Sequence, residues 1–436
     1  MAQSSLQDNN SGNSIIPIAI IAGLFAIFGF VTWVNGALIP FMKSICELSS
    51  AESFLVASAS YISFSIMALP SAKILQKIGY KKGMSLGLLI MGLGALVFIP
   101  AASSRTYFVF LTGIFIQGAG MTLLQTASNP YITIMGPIES AAKRISIMGI
   151  CNKSAGALGS FIFGALLLAG IQEKTELLST VSSTEKVMLL DEMAGAVVMP
   201  YIIMSLVLFA LAILIRFAPL PDLEAVEEEA VEGSTPKTSI FQFPHLWLGV
   251  LTLFTYVGAE VIAGDSIIKY GITLGLENAE FFTSFTLIAM IATYLLGVVL
   301  IPKYLSQGMA LKISASLGII LSICILFTTG FTSVLFVASL GIANALVWPA
   351  VWPLALNGLG KFTKTGSALL IMGISGGAII PPLYGALEDA KTSALISDGV
   401  ADAASQAATS SYWILLPCYA MILYYAMFGY KLKFKG

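Results

Sequence analysis

Three ionisable residues sit in stretches that are otherwise almost wholly apolar: Lys153 in SIMGICNKSAGALGSFIFGAL, and Glu260 and Asp265 in YVGAEVIAGDSIIKYG. If these stretches cross a bilayer, a charge at its centre costs roughly 2.5 to 3.5 kcal/mol on insertion scales, so each must face a cavity or a partner of opposite sign. Lys153 lies between Gly149 and Gly156 at helical spacing, and a carboxylate from the other part of the chain would neutralise it. Such a pair is either a static tie or a site whose charge changes during a working cycle. Asp265 is nearer the end of its stretch, where exposure to water is the competing reading.

Uncharged polar residues share these stretches. Gln125 and Asn129 are four apart and occupy one helical face, Asn35 lies in the first apolar run, and Asn152 precedes Lys153. Asn344, Trp348 and Trp352 recur at i, i+4 and i+8, an aromatic stripe headed by an amide. Interhelical amide bonds and interfacial tryptophan anchoring are the plainer readings of any one of them. Together they suit a small neutral sugar, whose hydroxyls need paired hydrogen bonds and whose C–H faces stack on rings. Only three arginines occur, at 105, 144 and 216, and none falls in the interior of an apolar run, so Lys153 is the one candidate for gripping an anion. His245 is the only histidine, so no metal site is expected. No nucleophile triad, phosphate loop or dinucleotide fingerprint is present, which removes support for an enzyme or a bound cofactor.

The elements that must position these residues are transmembrane helices. The chain is 57% hydrophobic and 10% charged with a mean hydropathy of +0.90, incompatible with a solvated globular surface. Its net charge of −1 offers no basic excess for nucleic acid. Twelve apolar stretches are predicted to span, at 17–41, 54–72, 83–102, 106–133, 145–170 and 197–217, then 244–270, 281–301, 309–328, 331–356, 365–386 and 411–430. IMGI at Ile147 recurs at Ile371, an offset of 371 − 147 = 224 residues, so the second half reads as a copy of the first. Two related halves in a membrane usually hold a transport site between them. The expected division is a six-helix half at 1–217, an acidic linker at 218–243 and a second half at 244–436. Prolines 130, 349, 353, 381 and 382 are expected to bend the helices that line a cavity.

Basic residues set the expected orientation. With both termini cytoplasmic, fifteen lie inside and six outside (Lys43, Arg105, Lys174, Lys186, Lys269 and Lys391), Lys153 being the last of the 22. The first fourteen residues lack a basic leader, and the first apolar run is long enough to span, so an uncleaved start is expected. The four cysteines lie in or beside apolar runs without close pairing and are read as packing residues.

FGFVTWVNGALIPFMKSI (28–45), LLQTASNPYITIMGPIESAAKRISIMGICNKSAG (123–156) and YVGAEVIAGDSIIKYG (256–271) resemble the fucose, galactose and glucose proton symporter family of the major facilitator superfamily. The likeness covers nearly all the chain from about residue 17 and is strongest to bacterial glucose/galactose and N-acetylglucosamine permeases. It implies an all-α fold of twelve transmembrane helices in two pseudo-symmetric halves. Fucose permeases carry an aspartate after the first-helix asparagine and a glutamate in the fourth-helix motif; here these positions are Gly36 and Gln125, and neither takes up a proton. Asn152 matches a sugar-contacting asparagine, and Lys153 and Glu260 fit the glucose branch.

The resulting expectation is a monomeric inner-membrane symporter, surrounded by lipid, that imports a neutral hexose by alternating access. Asn35, Gln125, Asn129, Asn152, Asn344 and Trp348 would hold the sugar, and Glu260, assisted by Lys153 and Asp265, would couple its movement to H+, with Na+ the alternative cation. Uptake of a carboxylated sugar or organic anion on Lys153, and a non-transporting membrane sensor, are the competing readings.

Overall fold

The structure is a computed structural model that describes residues 15–134, 141–178, 180–220, 239–301, 303–359 and 362–432. Among the described residues there is no strand, and twelve helical stretches are long and apolar enough to cross a membrane. They are α1 (Pro17–Ile45), α2 (Leu55–Leu75), α3 (Tyr80–Ser104), α4 (Tyr107–Ser128), α5 (Ile147–Leu167), α6 (Ser183–Phe217), α7 (Pro244–Thr273), α8 (Ala279–Leu300), α9 (Gln307–Leu326), α10 (Gly330–Leu356), α11 (Leu369–Ser397) and α12 (Ala403–Lys431). An even number of crossings returns both ends of the chain to one side, the terminal face. The 46–54 connector lies at the opposite, distal face.

Helix number agrees with the sequence reading; helix ends do not. α1 reaches Ile45, α7 Thr273 and α11 Ser397, each beyond its apolar window. A hydropathy window stops at the first polar cluster, whereas the backbone stays helical as long as its polar side chains find partners. Lys269, counted outside among the basic residues, is an α7 residue only 4% exposed, and Lys391 belongs to α11. The acidic stretch from Asp222 to Glu232 lies outside the described residues.

Prolines shape the helices in a traceable way. Pro349 has no N–H for the Ala345 carbonyl four residues back, and α10 breaks between Ala345 and Val347. Pro382 likewise leaves the Ala378 carbonyl of α11 without its helical donor. The Ser58 hydroxyl of α2 donates to that carbonyl at 2.5 Å, so a bond missing from one half is supplied by the other.

Close helix crossings depend on glycine. A Cβ on Gly29 of α1 would lie 1.7 Å from the Asn152 carbonyl oxygen of α5, and a Cβ on Gly376 of α11 would lie 1.7 Å from the Phe254 carbonyl oxygen of α7. Position 152 plus 224 is 376 and position 29 plus 225 is 254, so these are the same crossing in the two halves, within one residue of the offset of the IMGI repeat.

At the distal ends the halves meet directly. Gly36 of α1 packs on Thr283 of α8, Gly377 of α11 lies against the Tyr61 ring of α2, and the Ser284 hydroxyl of α8 donates to the Ala157 carbonyl of α5 at 3.0 Å. Phe161 and Phe281 stack at 4.5 Å across the same seam.

Candidate substrate and coupling site

Lys153 on α5 and Glu260 on α7 form an ion pair, Nζ to Oε1 at 2.9 Å, with side chains 10% and 13% exposed. The pair joins the two halves, as the two stretches predict. Its geometry rests on Trp33, the residue before the break in α1. The Lys153 ammonium lies 4.3 Å from the Trp33 ring centroid, a distance at which the ring's negative face attracts it. Gly156 and Gly264 leave room for the indole: a Cβ on either would fall 2.4 Å or 2.1 Å from it. Gly149 gives similar clearance to the Tyr294 ring, at 3.4 Å. The glycines flanking Lys153 thus admit one ring from each half.

Asp265, one residue past Gly264, is 1% exposed, which overturns the water-exposed reading of it. Neither carboxylate oxygen has a hydrogen-bond partner among the described residues. Depth cannot be read from distance to the end of an apolar run when the helix continues beyond it.

The amides divide into two kinds. Asn152 donates through Nδ2 to the Phe25 carbonyl of α1 at 3.1 Å, and Asn344, fully buried, accepts the Tyr419 hydroxyl on Oδ1 at 2.8 Å. Both help hold neighbouring helices. Yet the Asn344 Nδ2 and the Asn35 Nδ2 are buried donors without acceptors, a costly condition that a ligand hydroxyl would relieve. Asn35 opens the distal segment of α1 at the helix break, and Gln125 is half-buried on α4. Trp348 stacks on Trp352 at 5.3 Å, as their four-residue spacing predicts. The Asn129 side chain lies outside the described residues.

Sequence reasoning missed a second polar cluster at the distal face. Lys269 of α7 is ion-paired with Glu388 of α11, both nearly buried. Glu388 also accepts the Ser50 hydroxyl at 3.4 Å, and Asp389 accepts the backbone N–H groups of Ser50 and Ala51 at 3.0 and 2.8 Å. The Lys43 ammonium donates to the same Ser50 hydroxyl at 3.0 Å. The 46–54 connector is pre-shaped for this docking by a reciprocal cap between Ser49 and Glu52. Hydrogen bonds from Ser49 hold the exposed Glu52 carboxyl below its usual range. The one signal in the sequence was the pair of acids closing the GALED segment, which fell past the apolar window. A cleft of about 720 Å3 opens beside this cluster, but none of the expected sugar or coupling residues lines it.

The sequence profile of the Major Facilitator Superfamily matches residues 21–382. A glucose/galactose transporter of Brucella abortus is 33% identical over 414 residues, covering 94% of this chain and 92% of that protein. A putative glucose/galactose transporter of Helicobacter pylori is 31% identical over 96% of this chain and 98% of its own length. Among solved structures, the transporter FucP in its outward conformation superposes with a TM-score of 0.69 at 25% identity, covering 95% of this chain and 99% of that one.

Proposed function

Because the chain belongs to the major facilitator superfamily, we propose that it is a sugar:proton symporter that takes up a neutral hexose of the glucose or galactose type by alternating access. The observation that carries this reading is the match along nearly the whole chain to glucose/galactose transporters. The site chemistry agrees with it. Unsatisfied amide donors on Asn35 and Asn344 call for hydroxyl acceptors, and Gln125, Asn129, Asn152 and Trp348 complete a lining for a polyhydroxylated ring.

Lys153, Glu260 and Asp265 make up the charged set through which a cation acts on sugar movement. The proton is the coupling cation, by likeness to the L-fucose-proton symporter of Haemophilus influenzae, 28% identical over 86% of this chain. Sodium is the alternative. The protein works as a monomer in the inner membrane, with residues 218–243 joining its halves and both termini in the cytoplasm. The anion reading has less support, because the ammonium it requires is already bound to Glu260.

Purified protein in liposomes, loaded with D-glucose or D-galactose, tests this reading. Saturable counterflow of one of these sugars, and accumulation driven by an inward proton gradient, are expected. Counterflow of organic anions but not hexoses overturns it. Sodium-driven accumulation that survives a collapsed proton gradient overturns the choice of cation.

A further inference from the structure

Glu260 already holds a positive charge, the Lys153 ammonium. Asp265, five residues along α7, has no hydrogen-bond partner among the described residues, and the hydroxyls on α8 and at Ser266 beside it are spent on backbone carbonyls. The Thr283 and Thr286 hydroxyls of α8 donate to the Gly264 and Ala263 carbonyls at 2.6 and 3.1 Å, and the Ser266 hydroxyl turns back to the Ile262 carbonyl. The charged and titratable groups around Asp265 are Glu260 and Lys269 on its own helix, Lys153 on α5 and Tyr61 on α2. Lys269 is committed to Glu388 of α11, and Lys43 of α1 to Ser50. An ionised carboxylate in apolar surroundings with no donor is strongly disfavoured relative to the neutral carboxylic acid.

Gly36 and Gln125, which lie in the first and fourth helices, cannot titrate. The Gly36 position is also filled: a Cβ there would lie 2.6 Å from the Thr283 Oγ1.

We propose that Asp265 is the residue that carries the transported proton. The inference rests on the symport reading above and names its proton site. With the distal seam shut, Asp265 is a neutral acid. When one face opens and water reaches α7, its O–H bond breaks, the proton passes to water and the carboxylate remains. Lys153, within electrostatic range of both acids, is then shared between Asp265 and Glu260. Protonation from water at the other face restores the neutral acid, returns Lys153 to Glu260 alone and permits the seam to close over loaded sugar. Glu260 serves as the resting partner of Lys153.

The test compares wild type with Asp265→Asn and Asp265→Glu in liposomes, using D-glucose and D-galactose. In wild type, hexose entry takes up protons from the medium. Asp265→Asn is expected to keep measurable counterflow, to lose sugar-linked proton uptake and gradient-driven accumulation at least tenfold, and to show counterflow that no longer varies with pH. Asp265→Glu regains part of the proton uptake. An Asp265→Asn protein that concentrates hexose with the wild-type ratio overturns the proposal.

A measurement on wild type alone covers the case in which variants do not fold. Dicyclohexylcarbodiimide, which attacks protonated carboxyls in apolar surroundings, should modify Asp265 and not Glu260 by mass spectrometry, with hexose protecting. The reverse labelling overturns the assignment. Failure of the symport reading is separate: wild type itself would then move hexose without protons.

Discussion

Lys153 and Glu260 meet at 2.9 Å across the boundary between the two halves, the ammonium lying over the face of Trp33. Removing one member leaves the other charge buried and alone. Lys153→Met is expected to destabilise the detergent-solubilised protein by about 3 to 5 kcal/mol, and the double variant Lys153→Met, Glu260→Met to recover most of it. Thermal unfolding of the two single variants and the double variant checks this. Additive losses would show that the residues do not act as a pair.

Gln125 and Asn152 should separate in their effects. Gln125→Ala is expected to weaken hexose binding about three- to tenfold, the worth of one net hydrogen bond, without lowering the melting temperature. Asn152→Ala should lower both, because its amide also holds the Phe25 carbonyl. Titration calorimetry together with thermal unfolding distinguishes these outcomes. Unchanged affinity in both variants removes the two amides from the site.

Gly36→Asp restores the fucose-type acid in sequence but not in space. Its Cβ would meet the Thr283 hydroxyl, so α1 could not reach its position against α8. Counterflow by this variant is expected to fall at least tenfold. Adding Thr283→Ala, which removes the obstructing hydroxyl, should restore part of it. A single variant as fast as wild type would show that the distal seam does not close as described.

Cys46 supplies a pH-dependent reporter at the distal face. Burial raises its thiol from 9.0 to about 11, against a smaller opposing effect of the Arg105 charge. Only the thiolate reacts, so in a Cys151→Ser, Cys324→Ser, Cys418→Ser background maleimide labelling should rise about tenfold per pH unit up to pH about 11. A plateau near pH 9 would mean that the thiol is open to solvent.

The twelve helices were legible because each is an apolar run of membrane length, and the division into copies because IMGI repeats. Lys153 and Glu260 were legible because a charge within such a run demands a partner. Lys269, Glu388 and Asp389 were not, since they fall where the apolar signal ends while the helix continues. Asp265 was placed on the right helix, but the sequence left its burial open between exposure and a coupling role: its burial is set by α8, whose threonines cap the carbonyls beside it, and nothing in the α7 sequence records that packing. Trp33 carries no charge to mark it, and its role emerges only when Gly156 and Gly264 are found to enclose it.

The glycine crossings carry an evolutionary consequence. In the first half the residue without a side chain is on α1, at Gly29; in the second it is on α11, at Gly376, and its counterparts are Asn152 and Phe254. What the duplicated halves share is a distance between two backbones, and either strand of the crossing can satisfy it. Once one helix has acquired the glycine, the facing position is released from that demand and can take on another task. In this chain the released position in the first half is Asn152, immediately before Lys153, so the divergence of the two copies opened a place for a polar side chain in one half where the other kept an aromatic one.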